Sequence, residues 1–136
     1  MPHLIVEYSS NVAAHHDIDA LLDVIHQTVL TFDFVPVAGV RIRGIEHAQT
    51  RIADGSDENH AFVAMVARMG PGRDAEAKHR LINSVLDAAA GQVAGEAGPL
   101  HIAWSFEVQE IDAEFRVNRN NIASHLKTVQ MTNGEG

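Results

Sequence analysis

Cysteine is absent from this chain, which excludes disulfides and thiolate zinc sites. Basic residues are few: 10 Lys and Arg stand against 18 Asp and Glu, a formal net charge of −8. That balance argues against a nucleic-acid partner, which calls for a basic face. It also argues against bulk attraction of anions, so an anionic ligand has to be captured locally, by a few arginines in a protected cleft. No run approaches the roughly 20 apolar residues of a membrane span. Glu7 interrupts the opening apolar run, so no secretory leader is expected, and the cytoplasm is the expected location. With 136 residues and 46% hydrophobic content, one compact domain with its own core is expected.

Two amphipathic patterns organise the chain. Leu4-Ile5-Val6 reads as a buried strand within His3–Glu7, and Tyr8-Ser9-Ser10-Asn11 as a polar turn. Asp17 or Asp19 can cap or charge a helix start. Ile18, Leu21, Leu22, Ile25 and Val29 then recur at helical spacing, predicting a helix to about Thr31. Residues 34–39 form a connector, because Pro36 disfavours helix before it. Val40 to Ile45 alternates apolar and basic residues, the period of a half-buried strand. After the turn at Ala53-Asp54-Gly55, the pattern restarts. Ala61–Val66 is a second buried strand, broken by Gly70-Pro71-Gly72-Arg73. A second helix begins near Asp74, carries Leu81, Ile82, Val85, Leu86 and Ala89, and ends at Gly91 or Gly95. Ile102–Val108 is a further strand. The rest is irregular apart from a helical piece at Ile122–Lys127 and a polar tail, 132–136, expected to be disordered.

The two halves, about 2–58 and 59–127 of a single domain spanning 1–131, match in pattern. Leu21, Ile25 and Val29 correspond to Leu81, Val85 and Ala89 at a constant offset of 60 positions. This implies two β-α-β units with parallel strands, hence an α+β fold (α/β within each unit). The expected result is a fused double β-α-β: a four-stranded sheet with two helices on one face. Oligomerisation is the economical way to bury the other face.

Chemistry centres on Pro2. Methionine before a small residue is normally trimmed, which makes Pro2 the expected N-terminus and a free secondary amine. An α-amino group titrates at roughly 7.7 to 8.0; partial burial and nearby cations both disfavour its charged form. A neutral amine can take a proton and its conjugate acid can return it. Proline is also an ordinary strand opener. Arg41 and Arg43 share one strand face, where a solvated surface or an intersubunit salt bridge is an ordinary use of them. Nine histidines are scattered. His15 and His16 are adjacent and make a poor chelate, no helical His pair of metalloprotease type exists, and surface or capping roles are expected. No metal is expected. His3 can modulate its neighbour Pro2, and Phe34, Phe62 and Phe106 read as core more readily than as pocket.

Pro2, the strand His3–Glu7, Pro36-Val37-Ala38-Gly39-Val40-Arg41-Ile42-Arg43, Ala53-Asp54-Gly55, Gly70-Pro71-Gly72-Arg73, Ser105-Phe106-Glu107 and Asn120-Asn121 together resemble the tautomerase superfamily. Within it they most resemble the 5-carboxymethyl-2-hydroxymuconate Δ-isomerase family. The resemblance covers about Pro2 to Lys127. It implies a homotrimer whose fused protomers mimic a hexamer of shorter chains. It also implies cofactor-free proton transfer in the breakdown of aromatic acids such as homoprotocatechuate, on a small unsaturated di- or tricarboxylate. In that reading Pro2 shuttles the proton. Arg41 holds a carboxylate or the 2-hydroxy/2-oxo oxygen, where guanidinium geometry favours arginine. Arg73 grips the far carboxylate, aided by the N-terminal amides of the second helix, and Arg43 is a further substrate-binding candidate. Two alternatives stay open. One is a proline-dependent hydratase or dehalogenase, which needs a second acid–base residue such as Glu7 or Glu107 near Pro2. The other is a non-catalytic trimeric module.

Overall fold

The computed structural model of the chain describes residues 2–134, with side chains described through Val129. Its elements are β1 (His3–Ser9), α1 (Ser10–His15), α2 (Ile18–Leu30), β2 (Arg41–His47), β3 (His60–Met69), α3 (Ala75–Gly95), β4 (His101–Glu110) and α4 (Ile122–Gly134), with a 3-10 turn at Val37–Gly39. The sheet order is β2-β1-β3-β4. β1 pairs parallel with β2, β3 pairs parallel with β4, and the two units meet through the antiparallel β1–β3 pair. This is the double β-α-β expected from the repeated pattern.

Both long helices begin where an aspartate can satisfy free amides. Asp17 accepts from Ala20 N at 3.1 Å and Asp74 from Ala77 N at 2.8 Å, each acting as an N-cap. Their apolar stripes, Leu21, Ile25 and Val29 on α2 and Ala77, Leu81, Val85, Ala89 and Val93 on α3, are buried. They pack on one sheet face against Leu4, Val6 and Tyr8 of β1 and Ala61, Val63, Met65, Ala67 and Met69 of β3. Fully burying one such aliphatic side chain stabilises by roughly 1.5–3 kcal/mol. Strand period then places Ile5, Phe62, Ala64 and Val66 on the opposite face, half-buried, so Ile5 does not share the burial of Leu4 and Val6.

Three features differ from expectation. Residues 8–11 are not a turn: β1 runs through Ser9 and α1 follows directly. The polar groups there tie β1 to the start of β3, with Ser9 Oγ accepting from Phe62 N at 3.1 Å and Asn11 Nδ2 donating to Glu58 O and His60 O at 3.0 and 2.9 Å. α3 stops at Gly95, one of its two expected ends, with Glu96 as C-cap. His16 is buried rather than a surface histidine, packed so closely on Gly98 that a Cβ there would approach its Nε2 to 3.1 Å. Finally, α4 extends past the expected piece to Gly134, so part of the segment expected as a tail lies in this helix, and 135–136 lie outside the described residues. Among the described residues no helix is long and apolar enough to cross a membrane.

Ile25 is wholly buried between α2 and the sheet, whereas Asp23 on the same helix is exposed. Ile25→Ala is expected to lower unfolding free energy by about 2–5 kcal/mol, and Asp23→Ala by no more than about 0.5. Urea titration followed by circular dichroism measures both.

Candidate active site

Strand direction gathers the candidate residues at one end of the sheet. Parallel pairing puts Arg41 of β2 beside His3 of β1, and antiparallel pairing puts Arg68, near the end of β3, on the other side of His3. Period-two alternation turns all three side chains to the face away from the helices. Pro2 opens the same end. Its ring is buried, and its carbonyl accepts the Arg41 backbone N–H at 3.2 Å.

Residues 111–120 cross this end as a strap. One end is fixed by Ile111 N donating to Met69 O at 2.8 Å, the other by Asn120 Nδ2 donating to Ala38 O at 2.7 Å. These anchors lie at the end of β3 and ahead of β2, so the strap spans the start of β1 between them. A cleft of about 410 Å³ results, lined by His3, Arg41, Arg68, Ile111, Phe115, Arg116, Val117 and Asn118. That volume falls in the usual range for small-molecule sites. In a chain of net charge −8, this lining holds three arginines and no carboxylate.

Arg41 reaches the centre of the group, with Nη1 3.5 Å from His3 Nε2 and 3.4 Å from Gly39 O, to which it donates. Burial, then the charges of Arg41, Arg43, Arg116 and Arg68, hold the His3 imidazole below its ordinary value of 6.5. Both causes act against the imidazolium. His3 is therefore a neutral wall at neutral pH, and the positive charge of the cleft belongs to the guanidinium groups.

The other expected site residues stand apart. Arg43 shares the face of Arg41 but sits one pleat further along β2, exposed and outside the cleft lining. Arg73 follows Gly72, whose φ of 115° is one that glycine accommodates. Arg73 donates through Nη1 to Gly70 O at 3.1 Å and through Nη2 to Phe34 O at 2.8 Å, latching the β3–α3 turn onto the segment after α2. The anion-receptive helix start expected beside it is already capped by the Asp74 carboxylate. Continuing the β1–β3 register sets Pro2 opposite Met69, four residues before Arg73. Neither alternative acid–base residue stands near Pro2. Glu7 pairs with His47 at 3.0 Å further along β1, and Glu107 lies two strands away opposite Val66. Phe34, Phe62 and Phe106 do not line the cleft; its aromatic is Phe115.

Arg68, Phe115 and Arg116 were not singled out in the sequence. Arg68 carried a faint signal, as a charge closing the alternation Phe62, Ala64, Val66. Phe115 and Arg116 belong to a stretch without periodicity, and only tertiary placement of the strap reveals them.

Because the folded His3 binds its proton less readily than the unfolded chain does, stability is lost as pH falls from about 6.5 toward the folded pKa, and nothing is contributed above it. His3→Gln is expected to lose less stability than wild type between pH 7.5 and 5.5, measured by urea unfolding at each pH.

Comparison with known proteins finds relatives of the same fold. The 5-carboxymethyl-2-hydroxymuconate Delta-isomerase of Escherichia coli is 28% identical over 127 residues, 93% of this chain and 100% of that one. The crystal structure of a 5-carboxymethyl-2-hydroxymuconate isomerase from Deinococcus radiodurans R1 matches with a TM-score of 0.83 at 28% identity, covering 92% of this chain and 93% of that chain. A fused 4-OT wild type symmetric trimer shares the fold more distantly, with a TM-score of 0.57 at 18% identity over 79% of this chain and 85% of that chain. The family model described as 5-carboxymethyl-2-hydroxymuconate isomerase matches residues 2–126, which include the sheet, the cleft and its strap, and the chain belongs to that family.

Proposed function

We propose that this isomerase converts 5-carboxymethyl-2-hydroxymuconate-type enol acids to their oxo form, using the N-terminal amine of Pro2 to move the proton. The observation that carries this reading is the placement of Arg41. It is bonded through its backbone to Pro2 and faces an acid-free cationic cleft. In the reaction, the enol O–H breaks, a C–H bond forms on the conjugated chain, and the double bonds shift between them. The neutral amine takes the proton and its conjugate acid returns it. A rigid ring at a strand start has few conformations to lose. Arg41 stabilises negative charge on the 2-oxygen or its neighbouring carboxylate as the O–H proton leaves. Such stabilisation is strongest where donors are fixed in place beforehand. Arg73, through donors not engaged by Gly70 and Phe34, holds a second carboxylate on the other side of Pro2. Arg43 adds to the positive field on the open sheet face.

The same reading includes a homotrimer. The face opposite the helices carries Ile5, Ile45, Phe62 and Val66 among charged residues, and among the described residues neither α2 nor α3 packs on it. Symmetric association is the economical way to cover such a face. A cytoplasmic place in degradation of an aromatic acid such as homoprotocatechuate fits a substrate of this kind. The hydratase or dehalogenase alternative is weakened, because it needs a carboxylate beside Pro2 and Glu7 instead pairs with His47.

Ultraviolet monitoring of enol-to-ketone conversion tests the chemistry. Arg41→Ala is expected to reduce kcat on the order of 10²- to 10³-fold, and normal turnover by this variant would refute the assignment. Protein with methionine retained ahead of Pro2 is expected to assemble but not turn over, as read by mass spectrometry alongside the assay. Light scattering is expected to return three times the 14.8 kDa chain mass for both proteins.

A further inference from the structure

We infer that Arg68 and Arg116 form a third carboxylate subsite, beyond those at Arg41 and Arg73, which favours substrates with a third carboxylate. This rests on the isomerase reading above and deepens it. A tricarboxylate enol presents three anionic groups. In the proposed reaction Arg41 and Arg73 account for two of them. The cleft contains two further guanidinium groups that the chemistry at Pro2 does not use.

Their placement has the marks of a ligand site. Arg68 comes from β3 and Arg116 from the anchored strap, so two independent parts of the chain bring positive charge to one cavity. Among the described residues neither forms an ion pair; the salt bridges there are Glu7–His47 and Lys78–Glu110. Gathering Arg41, Arg68 and Arg116 in one lining without a carboxylate costs repulsion that the fold itself does not relieve. An anionic ligand relieves it. Strand spacing sets the Arg68 and Arg41 backbones about 10 Å apart across β1, a separation that an enol with its 2-oxygen end at Arg41 and its carboxymethyl branch at Arg68 can bridge. The cleft also carries apolar surface: Phe115 and Val117 are 82% and 83% exposed beside Arg116. A flat conjugated chain has a surface to lie against between its charged ends.

The probe pair is the tricarboxylate enol and 2-hydroxymuconate, which lacks only the carboxymethyl group. Arg68→Gln and Arg116→Gln are each expected to lower kcat/KM for the tricarboxylate about tenfold, chiefly through KM, the signature of lost binding energy common to ground and transition states. The dicarboxylate is expected to change less than about threefold on the same scale. Arg68→Lys and Arg116→Lys keep the charge and are expected to retain part of the tricarboxylate preference. They also carry the comparison if a glutamine variant fails to fold. Equal losses on both substrates, a fall confined to kcat, or no change on either would overturn the subsite. Wild type inactive on both enol acids would remove the isomerase reading, and this inference with it, before any variant is measured.

Discussion

The hydrogen-bond register of β1 governs the rest of this molecule. β1 is held parallel to β2 on one side and antiparallel to β3 on the other. That pairing brings the start of β1, the start of β2 and the end of β3 to the same edge of the sheet. Pro2, Arg41 and Arg68 are therefore neighbours although they are distant in sequence. A slip of one residue in either pair would send Arg41 or Arg68 to the helix face, into the core formed by Leu4, Val6, Met65 and the helix stripes. The apolar alternation that buries those residues is thus also what holds the cationic groups out of the core and around the cleft.

Electrostatics at this edge runs against the character of the whole chain. The protein is acidic, yet the cleft wall holds Arg41, Arg68, Arg116 and a histidine whose proton affinity they suppress. Carboxylates elsewhere are kept to local tasks. Asp17 and Asp74 cap helices, and Glu7 is matched to His47. This division concentrates a small number of guanidinium groups at one edge of an otherwise acidic chain.

The repeated architecture explains why one half carries the proposed chemistry. The units correspond in topology, with His3 beside Arg41 in one and His60 beside His101 in the other. The first pair lies at a strand that opens the chain. The second follows a loop, so it has no terminal amine to offer, and its rings meet edge-on at 6.3 Å. The duplication supplies a scaffold with two corresponding ends, and the 111–120 strap crosses the one that holds His3 and Arg41.

Much of this was legible in the residues themselves. The stripes Leu21-Ile25-Val29 and Leu81-Val85-Ala89, the alternation after Val40, and the breaker at Gly70–Arg73 determine the helices, the strands and their doubled order, because periodic burial is a local property of sequence. The positions of Pro2 and Arg41, at a strand start and on an alternating strand, were legible for the same reason, while the roles proposed for them came from the family resemblance. The tertiary structure alone decided that Arg73 turns its guanidinium to the carbonyls of Gly70 and Phe34, that Ser9 and Asn11 bind across to β3 instead of making a turn, and that Arg68, Phe115 and Arg116 complete the cleft. Those contacts join segments tens of residues apart. Their partners are chosen by register and by the path of an aperiodic strap, and neither leaves a mark on the neighbouring sequence.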